Sequence, residues 1–254
     1  MGDEQNLAGL VRVCVRRAIL PAMDLPALIP ATLLRRYQRF LADCRLEDGQ
    51  TVTVHCPNSG SMRSCATPGQ PVLLSHQPSS RRKYPWTWEL YWSGSSWVCI
   101  NTQRPNAVVA EAIAMGNIPE LAGYPLLRRE VPYGDHARVD IFLEGSDKPP
   151  AYVEVKSCTL LDADGVVRFP DAVSLRARRH LQSLQEVVTA GARGVLVFLI
   201  GREDGQGFAP AESIDPQYAE ALRRARQAGV EILAYRTRVS PDRMILDAAE
   251  TLLL

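Results

Sequence analysis

Lysine is almost missing from this sequence. Three residues, Lys83, Lys148 and Lys156, stand against 26 arginines. The basic character is therefore almost wholly arginine, and a net charge of +1 makes no global electrostatic case for or against nucleic acid. The six cysteines, Cys14, Cys44, Cys56, Cys65, Cys99 and Cys158, form no CxxC pair. Scattered thiols in a chain this long point to a reduced, cytoplasmic setting rather than a disulfide framework. His55, Cys56 and Cys65 fit no standard zinc spacing. No apolar run reaches the roughly 20 residues that cross a bilayer, so no membrane partner is expected. The segment "LAGLVRVCVRRAILPAM" is interrupted by Arg12, Arg16 and Arg17 and makes a poor signal peptide. Internal repeats and low-complexity tracts are absent.

What remains is a chain of ordinary globular composition, 46% hydrophobic and 22% charged, long enough for one large or two small domains. Its charge is uneven. Residues 27–100 carry eight basic against four acidic side chains, and residues 101–254 carry eighteen against twenty-one. That distribution suits a basic binding module joined to a domain that uses a metal ion.

The local grammar changes at the same boundary. Residues 27–100 read as short strands: "YQRFLADCRL" breaks at Asp48-Gly49, "TVTVHC" follows, then "PVLLSH", "WTWELYWS" and "SWVCI". Five or so such strands predict a small barrel. After Ile100, Pro105-Asn106 opens a helix that Gly116 ends. Three extended pieces follow, "ARVDIFLEG", "AYVEVKSCTL" and "VVRFPDA". A long helix capped near Ser174, the wholly apolar strand "GVLVFLI", a helix from Asp215-Pro216 and a last strand "VEILAY" complete the order. A continuously apolar strand belongs in the middle of a sheet covered on both faces. The reading is a barrel at 27–100, an α/β domain at 101–254, and a loosely attached extension at 1–26.

The chemistry concentrates in "RVDIFLEGSDKPPAYVEVKSC". Side chains alternate along a strand, so Glu154 and Lys156 share one face while Val153 and Val155 take the other. Asp140 lies on the preceding strand, where hairpin pairing brings it beside Glu154. Two adjacent carboxylates repel unless a divalent cation sits between them, and Mg²⁺ (or Mn²⁺) takes oxygen ligands of this kind. A neighbouring ammonium can orient an attacking water and screen charge developing on a phosphate.

This arrangement resembles the PD-(D/E)xK nuclease superfamily. The stretches "RYQRFLADC", "HCPNSGSM", "RRKYPWTWEL", "NTQRPNAVVAEAI", "RVDIFL", "YVEVKSCTL", "FPDAVSLRARRHLQSL" and "GVEILAY" resemble, more closely, the bacterial sugar fermentation stimulation protein family. The resemblance implies an N-terminal OB-fold barrel and a nuclease-like αβββαβ domain with a mixed sheet, in a DNA-binding protein. It places the superfamily's metal acids on Asp140 and Glu154 and its lysine on Lys156. It adds Glu111 as a further acid from the first helix and His180 as a supporting polar group from the second.

Candidate nucleic-acid contacts lie in both domains. In "RRKYPWTWEL", the cations Arg81, Arg82 and Lys83 lead into Tyr84 and Trp86, combining phosphate neutralisation with rings that stack on bases. Arg36 extends that basic surface. Arg176 and Arg179, with Arg178 and His180, line the helix after the ExK strand and can meet a phosphate backbone. The expected activity is Mg²⁺-dependent phosphodiester hydrolysis of DNA. The alternatives are RNA as substrate, or a non-catalytic DNA-binding regulator of sugar-metabolism genes on a nuclease-like scaffold. A homodimer stays open.

Overall fold

A computed structural model describes residues 22–78, 82–133 and 137–254. Arg81 and most of the expected 1–26 extension lie outside the described residues.

Seven strands come first: β1 (Ala22–Asp24), β2 (Leu28–Tyr37), β3 (Leu41–Leu46), β4 (Thr51–His55), β5 (Pro71–His76), β6 (Trp86–Trp92) and β7 (Trp97–Cys99). The Asp48-Gly49 signal makes the β3–β4 turn, with Gly49 at φ +88° where a Cβ would be strained. Strands β4, β3, β2, β5 and β6 pair in that order, and β4 meets β6 at His55 and Thr87, which closes the barrel. Pairing the two edges removes the exposed backbone groups an open sheet would carry. The interior is apolar: Leu33, Val54, Leu74, Trp88 and Ile100 are fully buried. Of the four tryptophans only Trp88 is wholly inside; Trp86 and Trp97 pack half-buried against the cores.

The second domain runs α1 (Pro105–Ala114), β8 (Leu126–Tyr133), β9 (Ala137–Glu144), β10 (Ala151–Cys158), β11 (Leu160–Leu161), β12 (Val167–Phe169), α2 (Leu175–Thr189), β13 (Arg193–Ile200), β14 (Phe208–Pro210), α3 (Pro216–Gln227), β15 (Glu231–Val239) and β16 (Arg243–Ala249). Its main sheet has the order β1-β16-β15-β13-β10-β9-β8. The apolar strand β13 is central and parallel to both β10 and β15. α1 packs on one face against Val153, Val155, Val195 and Val197. Leu181 and Leu184 of α2 cover the other face over Leu196 and Phe198. Ser174 and Asp215 cap α2 and α3 by accepting the Ala177 and Tyr218 N–H groups.

Two expectations are corrected. The third core strand is not "VVRFPDA", whose β12 joins a small separate sheet with β11 and β14. It is β8, an edge strand that is mostly exposed and carries Arg128, Arg129, Glu130 and Pro132, so it lacks the alternation of a half-buried strand. And Ala22–Asp24 is not part of a loose extension: it forms an edge strand antiparallel to β16.

The domains are joined by specific contacts. The Met62 N–H donates to Asp171 Oδ2 at 3.0 Å, and Ser64 Oγ donates to the Thr159 carbonyl at 3.1 Å. Leu73, Leu90 and Cys99 of the barrel share one apolar cluster with α1 and the main sheet. Among the described residues, no helix is long and apolar enough to cross a membrane.

Candidate active site

Strands β9 and β10 pair antiparallel at Leu143/Ala151, Phe142/Tyr152 and Ile141/Val153. One step further the register sets Asp140 opposite Glu154, where the ladder opens. Asp140 fills the gap with its own side chain: Oδ2 accepts the Val155 N–H at 2.8 Å, and Oδ1 accepts from Asn106 Nδ2 at 2.8 Å. Asn106 lies in the first turn of α1, so helix, β9 and β10 converge on one carboxylate.

Glu154 is the buried member, 3% exposed. Its Oε1 accepts from Lys156 Nζ at 2.5 Å and contacts His180 Nδ1. Its Oε2 is buried with no hydrogen-bond partner. A buried carboxylate oxygen left unpaired is costly and needs an explanation. His180 is held in turn by Arg176, whose Nε donates to His180 Nε2 at 3.3 Å. Alternation on β10 and the overlying α2 thus bring Glu154, Lys156 and His180 together from two elements.

The electrostatics separate the two acids. Burial, then the nearby Glu154 charge, pushes the Asp140 carboxyl up to about 6. Burial also acts upward on Glu154, but its bond to His180 and the Lys156 charge outweigh it and hold Glu154 below the ordinary carboxylate range. The two acids face one another beside the Lys156 ammonium and the His180 imidazole, with Arg129 and Arg176 lining the same recess.

Three recesses meet here. One of about 440 Å³ is lined by Asp140, Glu154 and Lys156 with Arg129 and Arg176. A groove of about 960 Å³ continues past Tyr133, Tyr152, Arg138, Arg179 and His180. A cleft of about 400 Å³ runs from Lys156 toward Arg39, Asn58 and Gly60 of the barrel.

The structure therefore joins Asp140, Glu154, Lys156, His180, Arg176 and Arg179. It does not bring in Glu111. That residue is half-buried on α1, five positions and about 7.5 Å along the axis from Asn106, and lines none of these recesses. Among the described residues no group of three acids, histidines or cysteines is arranged to hold a metal ion. Arg178 points away, into a recess between α2 and α3 with Gln182 and Glu220. Arg36 is committed to backbone carbonyls of Arg39, Asn58 and Gly60. Arg82 and Lys83 are exposed, Lys83 lies over Tyr84, and Trp86 packs tilted against His76 with ring centroids 4.2 Å apart; none of these residues lines the three recesses. Arg138 and Tyr152, two positions from Asp140 and Glu154 on their strands, line the groove by the same period-two rule. Asn106 carried no comparable signal.

Comparison with known proteins agrees with this architecture. A family model described as the SfsA N-terminal OB domain matches residues 34–100, and one described as the sugar fermentation stimulation protein RE domain matches residues 103–243. A sugar fermentation stimulation protein homolog of Acidithiobacillus ferrooxidans is 70% identical over 231 residues, covering 91% of this chain and all of that protein. The homolog of Citrifermentans bemidjiense is 52% identical over 233 residues, again 91% of this chain and all of the relative. A solved structure described as Pyrococcus furiosus SfsA in complex with Ca²⁺ superposes with a TM-score of 0.84 at 25% identity, covering 93% of this chain and all of that one. With both of its domains matched and relatives of this likeness, the chain belongs to the sugar fermentation stimulation protein family.

Proposed function

We propose that this protein binds nucleic acid, DNA in the first place, and hydrolyses its phosphodiester bonds at Asp140, Glu154 and Lys156 with a divalent cation, Mg²⁺ or Mn²⁺. The observation that carries the reading is the pair of facing carboxylates, one with a buried oxygen that has no partner, beside a lysine on the same strand face.

The donor set fits a hard cation. Asp140 and Glu154 offer oxygen only, and Mg²⁺ is commonly held by one or two carboxylates while keeping several waters. Glu154 Oε2 and the outer oxygen positions of Asp140 are the groups that would hold it. The Pyrococcus furiosus relative, described as being in complex with Ca²⁺, supports a divalent cation as the partner of this fold. When bound, such an ion supplies Lewis-acid polarisation of a phosphoryl oxygen and a more acidic water. Lys156 keeps a compact positive charge where the phosphoryl oxygens gather negative charge in the transition state. His180 and Arg176 fix the carboxylate that Lys156 touches. Arg129, Arg138 and Arg179 line the adjoining recesses as candidate phosphate contacts, interspersed there with Glu130 and Glu186.

A second reading has its own support. Glu154 Oε1 is already spent on Lys156 and His180, and Glu111 supplies no third acid. That closed arrangement suits a nuclease-like scaffold that binds DNA as a regulator without turnover. Labelled single- and double-stranded DNA and RNA, incubated with Mg²⁺, Mn²⁺ or chelator, separate the two. Cation-dependent cleavage that D140N abolishes is the expected result. Binding with no cleavage in any condition establishes the regulator instead.

A further inference from the structure

The turn between β2 and β3 runs through Gln38, Arg39 and Phe40. Gln38 and Arg39 have φ of +48° and +63°. Glycine is the low-energy residue in that region, because a Cβ crowds the neighbouring carbonyl. Non-glycine residues persist there only where the surroundings impose the conformation, and such positions cluster at functional sites.

Here the surroundings are explicit. Arg36 Nη2 donates to the carbonyls of Arg39 at 2.7 Å, Asn58 at 2.8 Å and Gly60 at 2.9 Å. The Phe40 N–H donates to the Gln38 carbonyl, and the Cys56 N–H to the Phe40 carbonyl, each at 2.7 Å. One guanidinium thus clamps the hairpin tip to the 58–60 loop. Arg36, expected to meet phosphate itself, is a positioning residue for its neighbour.

The clamped tip presents two groups. Arg39 lines the cleft that ends at Lys156, with Arg176 on the far wall. Phe40 is 46% exposed. Across the junction, Val173 and Leu175 at the start of α2 are 66% and 67% exposed, and Val173 lines the same cleft. Arg39, Lys156, Arg168 and Arg176 against the single acid Asp171 leave the cleft net positive, and with Val173 in its wall and Phe40 exposed next to Arg39 it fits a partner that is anionic along one edge and flat and apolar along another. Nucleic acid has that character only where its bases are unstacked, since in a duplex their faces are covered.

We infer that the Gln38–Phe40 tip is the barrel's principal contact with nucleic acid and that it takes an unpaired stretch of strand. Arg39 neutralises a backbone phosphate, Phe40 stacks on a base, and the strand then passes along the cleft toward Lys156. Val173 supplies an apolar part of the cleft wall, with Leu175 exposed beside it at the start of α2. The inference rests on the nucleic-acid reading above and assigns the barrel surface that serves it, in preference to the Arg82–Trp86 segment.

The test is fluorescence anisotropy in chelator, so that cleavage does not intrude, with labelled single-stranded DNA, single-stranded RNA and blunt duplex DNA at several salt concentrations. F40A should weaken single-strand binding by about fivefold or more, the usual cost of losing one stacked base, and leave duplex binding nearly unchanged. R39G should lower the salt slope on single strands by roughly 0.7, one phosphate contact. Its thermal midpoint should stay level or rise, because glycine suits the left-handed position. An Arg82→Ala/Lys83→Ala double variant should lose less than F40A. If the wild-type protein binds no oligonucleotide, the nucleic-acid reading falls and this inference with it. If the wild type binds but F40A and R39G match it, the tip assignment alone is overturned. Equal losses on duplex and single strand overturn the unpaired-strand specificity. A lowered midpoint in R39G makes Arg39 structural and removes it as a contact.

Discussion

Asp140 stands opposite Glu154 one step past the last paired residues of β9 and β10, and its carboxylate takes the Val155 N–H that the ladder leaves free. The strand pairing that creates the site is thus completed by the site's own acid. Two anions are forced together, and the one with backbone and Asn106 bonds is also the one whose carboxyl is raised.

That gives a pH signature. Asp140 binds its proton more tightly folded than unfolded, with the carboxyl moved from 3.8 up to about 6. Its contribution to stability is therefore most favourable at low pH, declines as pH rises through that window, and is flat above it. Glu154, held low by His180 and Lys156, works oppositely and loses its contribution only as pH falls below the ordinary carboxylate range. In chelator, the stability of wild type relative to D140N should fall between about pH 4 and 6 and then level off. Thermal melts of both proteins across that range check it. No relative change would mean that Asp140 titrates normally. At pH 7, millimolar Mg²⁺ or Mn²⁺ should raise the wild-type midpoint by mass action, and D140N and E154Q should lose most of that rise.

His180 is expected to act through Glu154. H180A removes the contact that does most to keep that carboxyl low, so the acid-side loss of the Glu154 contribution, read as the stability of H180A relative to H180A/E154Q, should begin at higher pH than it does for wild type relative to E154Q. A uniform loss at all pH values would instead make His180 a structural support of α2.

The legibility of this molecule followed the strength of its local signals. The barrel was readable because its strands alternate and because Asp48-Gly49 and the 57–70 loop punctuate them. Strand β13 was readable because nothing polar interrupts Gly194–Ile200. Asp140, Glu154 and Lys156 were readable because charge at buried strand positions has few other uses. Strand β8 was not, because an exposed edge with four charged or proline residues has no buried face to show. Glu111 was drawn in by family pattern, whereas the group that reaches Asp140 is Asn106, whose partner is 34 residues away in sequence. Arg36 looked like a free cation, and only the loop it clamps reveals otherwise.

Arg202 was also silent in the sequence, yet it joins the domains. It is 2% exposed; its Nη1 donates to the Thr159 carbonyl at 2.7 Å, and its Nε and Nη2 hold Asp204 at 2.6 and 2.8 Å. Asp204 in turn accepts from Ser93 of the barrel at 2.6 Å. Removing the guanidinium leaves the part-buried Asp204 carboxylate with only its bonds from Ser93 and Ser95, which should cost about 3 kcal/mol, the low end for breaking a buried pair. R202M should therefore lower the thermal midpoint by about 10 °C. It should also weaken the acid sensitivity of stability, because Asp204 is held well below the ordinary range by burial-opposing bonds from Arg202 and Ser93. An unchanged midpoint would show that the junction does not depend on this network.

Lys156 gives the sharpest test of the reaction. In a chain that uses arginine almost everywhere, the ExK position holds one of three lysines. The structure supplies a reason. Lys156 Nζ sits 2.5 Å from Glu154 Oε1 and 3.3 Å from His180 Nδ1, with its side chain only 14% exposed. An ammonium is a compact charge with rotating donors, whereas a guanidinium is a wide planar fork. Between Glu154 and His180 the fork would push against the imidazole or turn the carboxylate, and Glu154 Oε2 would lose its aim. K156R keeps the charge, so oligonucleotide affinity in chelator should stay within about twofold of wild type, as expected when the phosphate-facing charge is conserved. Cleavage should fall by about 10²-fold or more, the scale of losing one positioned electrostatic group. Single-turnover cleavage and anisotropy on the same preparations separate the two effects. A K156R protein that cleaves like wild type would reduce Lys156 to a partner of Glu154, and the site would have to work through its carboxylates alone.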